Sequence, residues 1–316
     1  MSHKATTATD AVRELVTLSE AVPLCTSAIV RMIGAAGVQA LAIKGPTFAE
    51  LGVRLLRGSS DVDVLIDPAL QHETLDALRS DGWREWAPAK LYEPFGAHSI
   101  TLEHDAWPCS LDVHWRFPGF LAEPADVFDL LWAGRTEVEV AHQSVATPSR
   151  PHALAIETLH ILRESSPDTE EAVVAAILRA MPRPLDAGEL QALVELLGPS
   201  GSTETLATLA RLAGLQASAG PEDGANGAAL RAWKNRQRSS AAPLAWWFTE
   251  LRSHPGRALG RGVRHAWLSD GQARTWAKAK GVDYRSRWQV LWLRGKKGVQ
   301  AVKVQLRGRR QGSTRR

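Results

Sequence analysis

The sequence is organised around residues 55–68, which read LLRGSSDVDVLIDP. Asp61 and Asp63 stand two residues apart in an apolar, β-branched run that predicts a strand. Because side chains alternate between the two faces of a strand, both carboxylates project from the same face. Neighbouring acids repel each other unless a cation lies between them, and Mg²⁺ prefers carboxylate oxygens. The pattern therefore indicates a metal site, and the alternative is a strand that ends in solvated acids.

The composition is typical of a soluble globular protein that is large enough for two structural units. The chain has 316 residues, of which 44% are hydrophobic and 23% are charged. Its two cysteines do not make a disulfide framework, so the expected location is the reducing cytoplasm. The N-terminus does not look like a signal peptide, and no run approaches the roughly 18 apolar residues that a membrane span needs.

The order of the predicted elements favours an α+β fold with an α/β core. Helices are predicted over residues 68–80, as a pair over residues 9–37, and as a short helix from Pro46. Strands are predicted at residues 38–43, 61–66, 99–103, 110–117 and, as a hairpin, 136–147. These elements imply an α/β unit, whose strand order stays open, in a first domain that spans residues 1–150.

From residue 151 the pattern becomes helical, with helices predicted at 151–164, 169–181 and 186–197. We expect a helical domain over residues 151–283 and a basic C-terminal helix or tail over residues 284–316. This tail holds eleven Lys or Arg and no acid, so the first 283 residues carry a net charge of about −7, although the whole chain carries +4. The tail could bind RNA or DNA, lie on an anionic membrane surface, or remain a solvated helix with a frayed end.

A second predicted strand supplies a third carboxylate. Residues 110–115 read SLDVHW, and the alternation places Asp112 and His114 on one face. If this strand pairs with the strand over residues 61–66, Asp112 can join Asp61 and Asp63. Three converging carboxylates would hold two metal ions, as in-line phosphoryl displacement requires. The alternative is the solvated polar face of a half-buried strand.

A turn between a strand and a helix contains Lys44 and Gly45. A glycine at such a turn lets backbone N–H groups approach a phosphate, and the start of a helix favours an anion. Lys44 would add a point charge to the same phosphates. The alternative is a glycine turn with a solvated lysine.

Three motifs taken together resemble a known family. They are AIKG at residues 42–45, RGSSDVDVLI at residues 57–66 and LDVHW at residues 111–115. They are similar to the bacterial uncharacterised nucleotidyltransferase family, a branch of the DNA polymerase β-like nucleotidyltransferase superfamily. The resemblance is most specific over residues 38–116 and continues more weakly to about residue 165. It implies a polymerase β-like mixed sheet flanked by helices, followed by a mostly helical C-terminal region.

The resemblance also implies roles for particular residues. Asp61, Asp63 and Asp112 would be the catalytic carboxylates and the ligands of Mg²⁺ or Mn²⁺. The residues expected to bind the NTP are Lys44, Gly45, Thr47, Arg57 and His114. One departure concerns Pro46, because the superfamily has serine or glycine there and proline has neither a hydroxyl nor an N–H group. Lys44 or Thr47 would compensate for it.

The predicted function is metal-dependent transfer of a nucleotidyl group from an NTP to an acceptor hydroxyl, phosphate or amine, with release of pyrophosphate (EC 2.7.7 type). We expect the acceptor to be a small molecule or a natural-product or peptide precursor. One alternative is an RNA- or DNA-binding module that uses the basic tail and has structural acids. Another is a toxin that nucleotidylates tRNA or protein.

Overall fold

The computed structural model describes residues 16–54, 59–86, 98–163, 165–216, 226–238 and 283–293. Arg57, most of the basic tail and the start of the first predicted helix lie outside these residues. The described residues form two compact units. The first contains the described parts of residues 16–86, 98–163 and 168–230, and the second contains residues 165–167, 231–238 and 283–293. The division into domains at residues 150 and 283 stays a prediction.

A five-stranded mixed sheet is the centre of the first unit. Its strand order is β1-β2-β5-β4-β3, and only β2 and β5 pair in parallel within it. The strands are β1 (Ala40–Ile43), β2 (Asp61–Ile66), β3 (Arg84–Glu85), β4 (Ser99–Glu103) and β5 (Ser110–His114). The short β3 had not been predicted, whereas the α+β class with a mixed sheet and flanking helices is confirmed.

Apolar side chains on one face of the sheet pack against helix α1 (Leu18–Ala35). Val62, Val64 and Ile66 point into this core together with Leu111 and Val113, as the period of two predicts. This arrangement leaves the acids of the same strands on the opposite face. The acids thus lie on the face opposite this core, here called the polar face, beside the buried Leu41, Ile43 and Leu65.

The N-terminal helices differ from the prediction. Among the described residues a single helix, α1, runs from Leu18 across Pro23 to Ala35, where a break had been expected between Leu18 and Leu24. Proline near the start of a helix removes one hydrogen bond, and burial of the apolar side of α1 outweighs that loss. By length and composition α1 is the one described helix that could cross a membrane, but Cys25, Ile29 and its other core residues pack against the sheet.

The remaining elements of the first unit lie around this sheet. They are α2 (Gly45–Glu50), α3 (Gln71–Ser80), α4 (Pro124–Ala133), the hairpin of β6 (Arg135–Val140) and β7 (Gln143–Pro148), α5 (Arg150–Leu162), α6 (Glu170–Ala180), α7 (Ala187–Leu197) and α8 (Ala207–Leu212). Helix α4 had not been predicted. A further helix, α9 (Gly227–Arg238), follows, and residues 287–293 are helical.

Candidate active site

The candidate site lies on the polar face of the sheet, where three strands meet. Strand β2 lies between β1 and β5, and its Asp63 is the register partner of Ile43 on one side and Asp112 on the other. Lys44 directly follows β1, and His114 is the last residue of β5. The predicted pairing of the two acidic strands is thus observed, and it sets Asp63 beside Asp112.

A single carboxylate oxygen of Asp63 binds two neighbours. Nζ of Lys44 donates to Oδ1 over 2.6 Å, and Nε2 of His114 donates to the same oxygen over 2.8 Å. All three residues are buried, with 7% or less of each exposed. Burial raises the pKa of Asp63, but the hydrogen bond from His114 and the charge of Lys44 outweigh it and hold the pKa well below its usual range. Asp63 is therefore ionised in the folded protein.

The backbone at Lys44 adopts a rare conformation. Its φ is 63° and its ψ is −158°, a region that residues with a side chain seldom occupy, and Gly45 follows with a φ of 47°. Such strain is associated with functional sites, where surrounding contacts hold it in place. Here the buried ion pair with Asp63 is such a contact. The turn thus directs the Lys44 ammonium at the acid on β2.

Asp112 lies next to Asp63, in an environment that is less favourable for an ionised carboxylate. Its Oδ1 accepts a hydrogen bond of 2.6 Å from Oγ1 of Thr101, its register partner on β4. Burial raises the pKa of Asp112, the nearby charges of Asp63 and Asp61 raise it further, and His114 and Thr101 oppose the change. Asp112 is therefore easier to protonate than an ordinary aspartate.

The donor set fits a divalent cation. One potential ligand atom from each of Asp63, Asp112 and His114 lies within 4.8 Å of the others. The two carboxylates are suitable ligands for Mg²⁺ or Mn²⁺, whereas Nε2 of His114 already donates to Asp63. Oδ2 of Asp63 accepts no hydrogen bond from a described residue, since both bonds go to Oδ1. A cation there would also relieve the repulsion between Asp63 and Asp112.

Asp61 is not a member of this group of three. It pairs with Ser110 in register, and its Oδ1 accepts a hydrogen bond of 3.2 Å from Oγ of Ser59. A side-chain carbon on Gly45 would lie 3.9 Å from the same Oγ. The Ser59 hydroxyl therefore lies between the predicted phosphate turn and the first acid. Pattern reasoning did not single out Ser59, although it stands two residues before the Asp-x-Asp motif.

Three other residues were predicted to bind the NTP, namely Thr47, His114 and Arg57. The hydroxyl of Thr47 is fully buried and donates to the carbonyl of Lys44 over 3.0 Å, so it supports the turn from within the protein. His114 contacts Asp63, as described above. Arg57 lies outside the described residues, so its place in the site stays a prediction.

Helix α5 and the residue that follows it bring two further titratable groups near the site. His160 lies within electrostatic range of Lys44 and Asp63, and its Nδ1 is buried without a hydrogen-bond partner among the described residues. Arg163 donates over 3.2 Å to His98, whose ring lies 5.8 Å from that of His114. The sequence predicted that His160 caps its helix or packs within the protein. No local sequence pattern indicates that it lies near β2.

We expect His160 to make the protein less stable as the pH falls. Burial, aided by the charges of Lys44 and Arg163, lowers the pKa of His160 to about 3, whereas a histidine in the unfolded chain has a pKa of about 6.5. The folded form binds the proton less well than the unfolded chain does. The contribution of the neutral His160 to the unfolding free energy is therefore complete above pH 6.5 and is lost as the pH falls toward 3. Between pH 7 and pH 5, the unfolding free energy of His160→Gln should therefore decrease by about 1 to 2 kcal/mol less than that of the wild type.

Urea denaturation at both pH values measures this difference. His142→Gln is the control, because His142 is fully exposed in the β6–β7 turn. An unchanged pH dependence in His160→Gln would contradict the prediction.

Comparison with known proteins concerns the same part of the chain. The model of the uncharacterised nucleotidyltransferase family matches residues 11–212. No curated protein matches the chain. Among solved structures, the chain is similar to an antigenic nucleotidyltransferase-like protein from Paracoccidioides brasiliensis, with 15% identity, a TM-score of 0.36, and coverage of 64% of this chain and 95% of that one. A likeness at that level carries no argument about function.

The family match covers well over half of the 316 residues. It includes all five strands of the sheet and every residue of the candidate site. The chain belongs to the uncharacterised nucleotidyltransferase family.

Proposed function

We propose that the protein is a metal-dependent nucleotidyltransferase that uses Mg²⁺ or Mn²⁺. Membership of the family supports nucleotidyl transfer in general. The observation that carries the finer proposal is the pair of Asp63 and Asp112, adjacent in register on two parallel strands with His114 beside them. Paired carboxylates of this kind hold the cations used in phosphoryl displacement.

The reaction would be an in-line displacement at the α-phosphorus of an NTP. The acceptor oxygen or nitrogen forms a bond to the α-phosphorus, the bond to the bridging oxygen breaks, and pyrophosphate leaves. The bound metal would polarise the phosphate oxygens and favour deprotonation of the acceptor. Asp63 and Asp112 would hold it, with Asp61 as the third predicted carboxylate. Asp112, whose pKa is raised by burial, is suited to receive the acceptor's proton.

The triphosphate would lie at the turn between β1 and α2. Lys44 supplies positive charge and Gly45 allows its backbone N–H to approach, while Arg57 remains a predicted phosphate contact. We propose that Thr47 and His114 act indirectly, Thr47 by supporting the carbonyl of Lys44 and His114 by holding Asp63.

We propose a small molecule or a natural-product or peptide precursor as the acceptor, and the cytoplasm as the compartment. The second point is supported by the two cysteines, Cys25 and Cys109, which are free thiols and buried. The basic tail remains a candidate for nucleic-acid or anionic-surface binding.

A transfer assay tests the proposal. The full chain is incubated with each of the four NTPs labelled at the α-phosphate, Mg²⁺ or Mn²⁺, and a pool of candidate acceptors. We expect label in the acceptor fraction, an equal amount of pyrophosphate, and neither product when a chelator is present. Absence of transfer together with absence of metal-dependent NTP binding would refute the proposed function.

A further inference from the structure

Lys44 already provides a positive charge at the acid that the proposed metal would use. Its ammonium lies 2.6 Å from Oδ1 of Asp63, and both groups are buried. Among the described residues, Asp63 is the only hydrogen-bond acceptor of Nζ, which also lies 5.8 Å from the centre of the Phe117 ring. An ammonium has three donors, so it is held by one bond where it could form three. Lys44 thus neutralises Asp63 without being tied to other groups.

A divalent cation on the open Oδ2 of Asp63 and this ammonium on Oδ1 would repel each other strongly. A single and a double charge about 4 Å apart repel each other substantially even at an effective dielectric constant of about 20. The four-carbon side chain of Lys44 can rotate away while its backbone keeps the strained turn. On leaving Asp63 it would remain beside Gly45, at the predicted phosphate turn.

We propose that Lys44 is an exchangeable counter-ion: it neutralises Asp63 in the metal-free protein and leaves this carboxylate when a divalent cation binds. The inference rests on the proposed function, because it is the cation accompanying the NTP that displaces Lys44. The released ammonium then faces the triphosphate, which reconciles the predicted role of Lys44 in NTP binding with its observed bond to Asp63. Metal and NTP should therefore bind more tightly together than either does alone.

Mn²⁺ titration of the full chain, followed by electron paramagnetic resonance at pH 8 without nucleotide, tests this exchange. Lys44→Met removes the competing charge but keeps a long side chain, so it should bind Mn²⁺ about ten-fold tighter than the wild type. Lys44→Arg keeps the charge and should bind Mn²⁺ about as the wild type does. Arg31→Met, which removes a charge from the exposed side of α1, is the matched control and should change nothing. Equal or weaker Mn²⁺ binding by Lys44→Met would overturn the proposal.

A second measurement needs no variant at Lys44. The wild type is acetylated with an N-hydroxysuccinimide ester, and modification of Lys44 is followed by mass spectrometry. Lys44 should react slowly in the metal-free protein and several-fold faster in saturating Mn²⁺. An unchanged rate despite Mn²⁺ binding would overturn the exchange and leave the proposed function standing. If the wild type binds neither Mn²⁺ nor an NTP with Mn²⁺, both proposals fail.

Discussion

Asp63→Asn is expected to lower the rate of nucleotidyl transfer by a factor of about 1,000 or more. The substitution replaces a charged oxygen ligand by a neutral amide at the centre of the proposed metal site. It also removes the charge that holds Lys44 and His114 on one oxygen. The two effects act in the same direction, because the cation loses its best ligand and the Lys44 ammonium remains nearby without a counter-charge.

Initial rates with α-labelled NTP and Mn²⁺ binding isotherms measure the effect. Asp76→Asn is the matched control, because Asp76 is half-exposed on α3 and, within the described part of the chain, its carboxylate pairs only with His72 and Arg79. Asparagine keeps the size of Asp63 and can still accept a hydrogen bond, so we expect Asp63→Asn to fold with a loss of about 1 to 3 kcal/mol in unfolding free energy. Retention of a tenth or more of the wild-type rate by a folded variant would exclude Asp63 as a principal ligand.

Arg150→Met is expected to lower the unfolding free energy by about 2 to 4 kcal/mol, because it removes a buried guanidinium with its hydrogen bonds. Arg150 opens α5 and is buried, with 8% of it exposed. Its guanidinium donates to the carbonyl of Leu51 over 3.1 Å, to the carboxylate of Glu189 over 2.8 Å, and to the carbonyls of Arg183 and Pro184. Methionine would remove the side-chain donor to the carbonyls of Leu51 and Arg183. Glu189 and the carbonyl of Pro184 would keep hydrogen bonds from Arg183. Arg150 thus joins the end of α2 to the segment before α7.

Urea denaturation of matched variants separates this role from that of a surface ion pair. Arg183 also binds Glu189, with two hydrogen bonds of 2.8 Å each, but its own side chain is largely exposed. Because solvent screens exposed pairs, Arg183→Met should change the unfolding free energy much less. Equal losses in the two variants would mean that the carbonyl contacts of Arg150 contribute nothing.

The pairing of the acids was accessible from the sequence because it depends on alternation. Asp63 and Asp112 each stand in a β-branched run with period two, and such runs pair when their apolar faces share one core. The same reasoning could not set the register, so the hydrogen bond of Thr101 to Asp112 was not predicted. Asp61 bonds to Ser59 and lies outside the group of three, so its role as the third carboxylate stays a prediction.

The ion pair of Lys44 with Asp63 could not be predicted from the periodicity of the sequence. A positive φ at a residue other than glycine is rare, so nothing local predicted that the turn would direct Lys44 at Asp63. His160 and Arg150 are similar cases, because their environments come from segments distant in the chain. Such contacts arise from tertiary packing, which local propensities do not report.

The parallel pairing of β2 with β5 has a consequence for the order in which the chain folds. Lys44, which directly follows β1, is 19 residues from Asp63 on the antiparallel partner β2. His114 is 51 residues from Asp63 and needs a crossover connection, because β5 pairs with β2 in parallel. Closing the longer loop loses more chain entropy, so the β1–β2 pair is expected to form earlier. Asp63 would then acquire its lysine before β5 covers it, and the carboxylate would never be buried as an unpaired charge during folding.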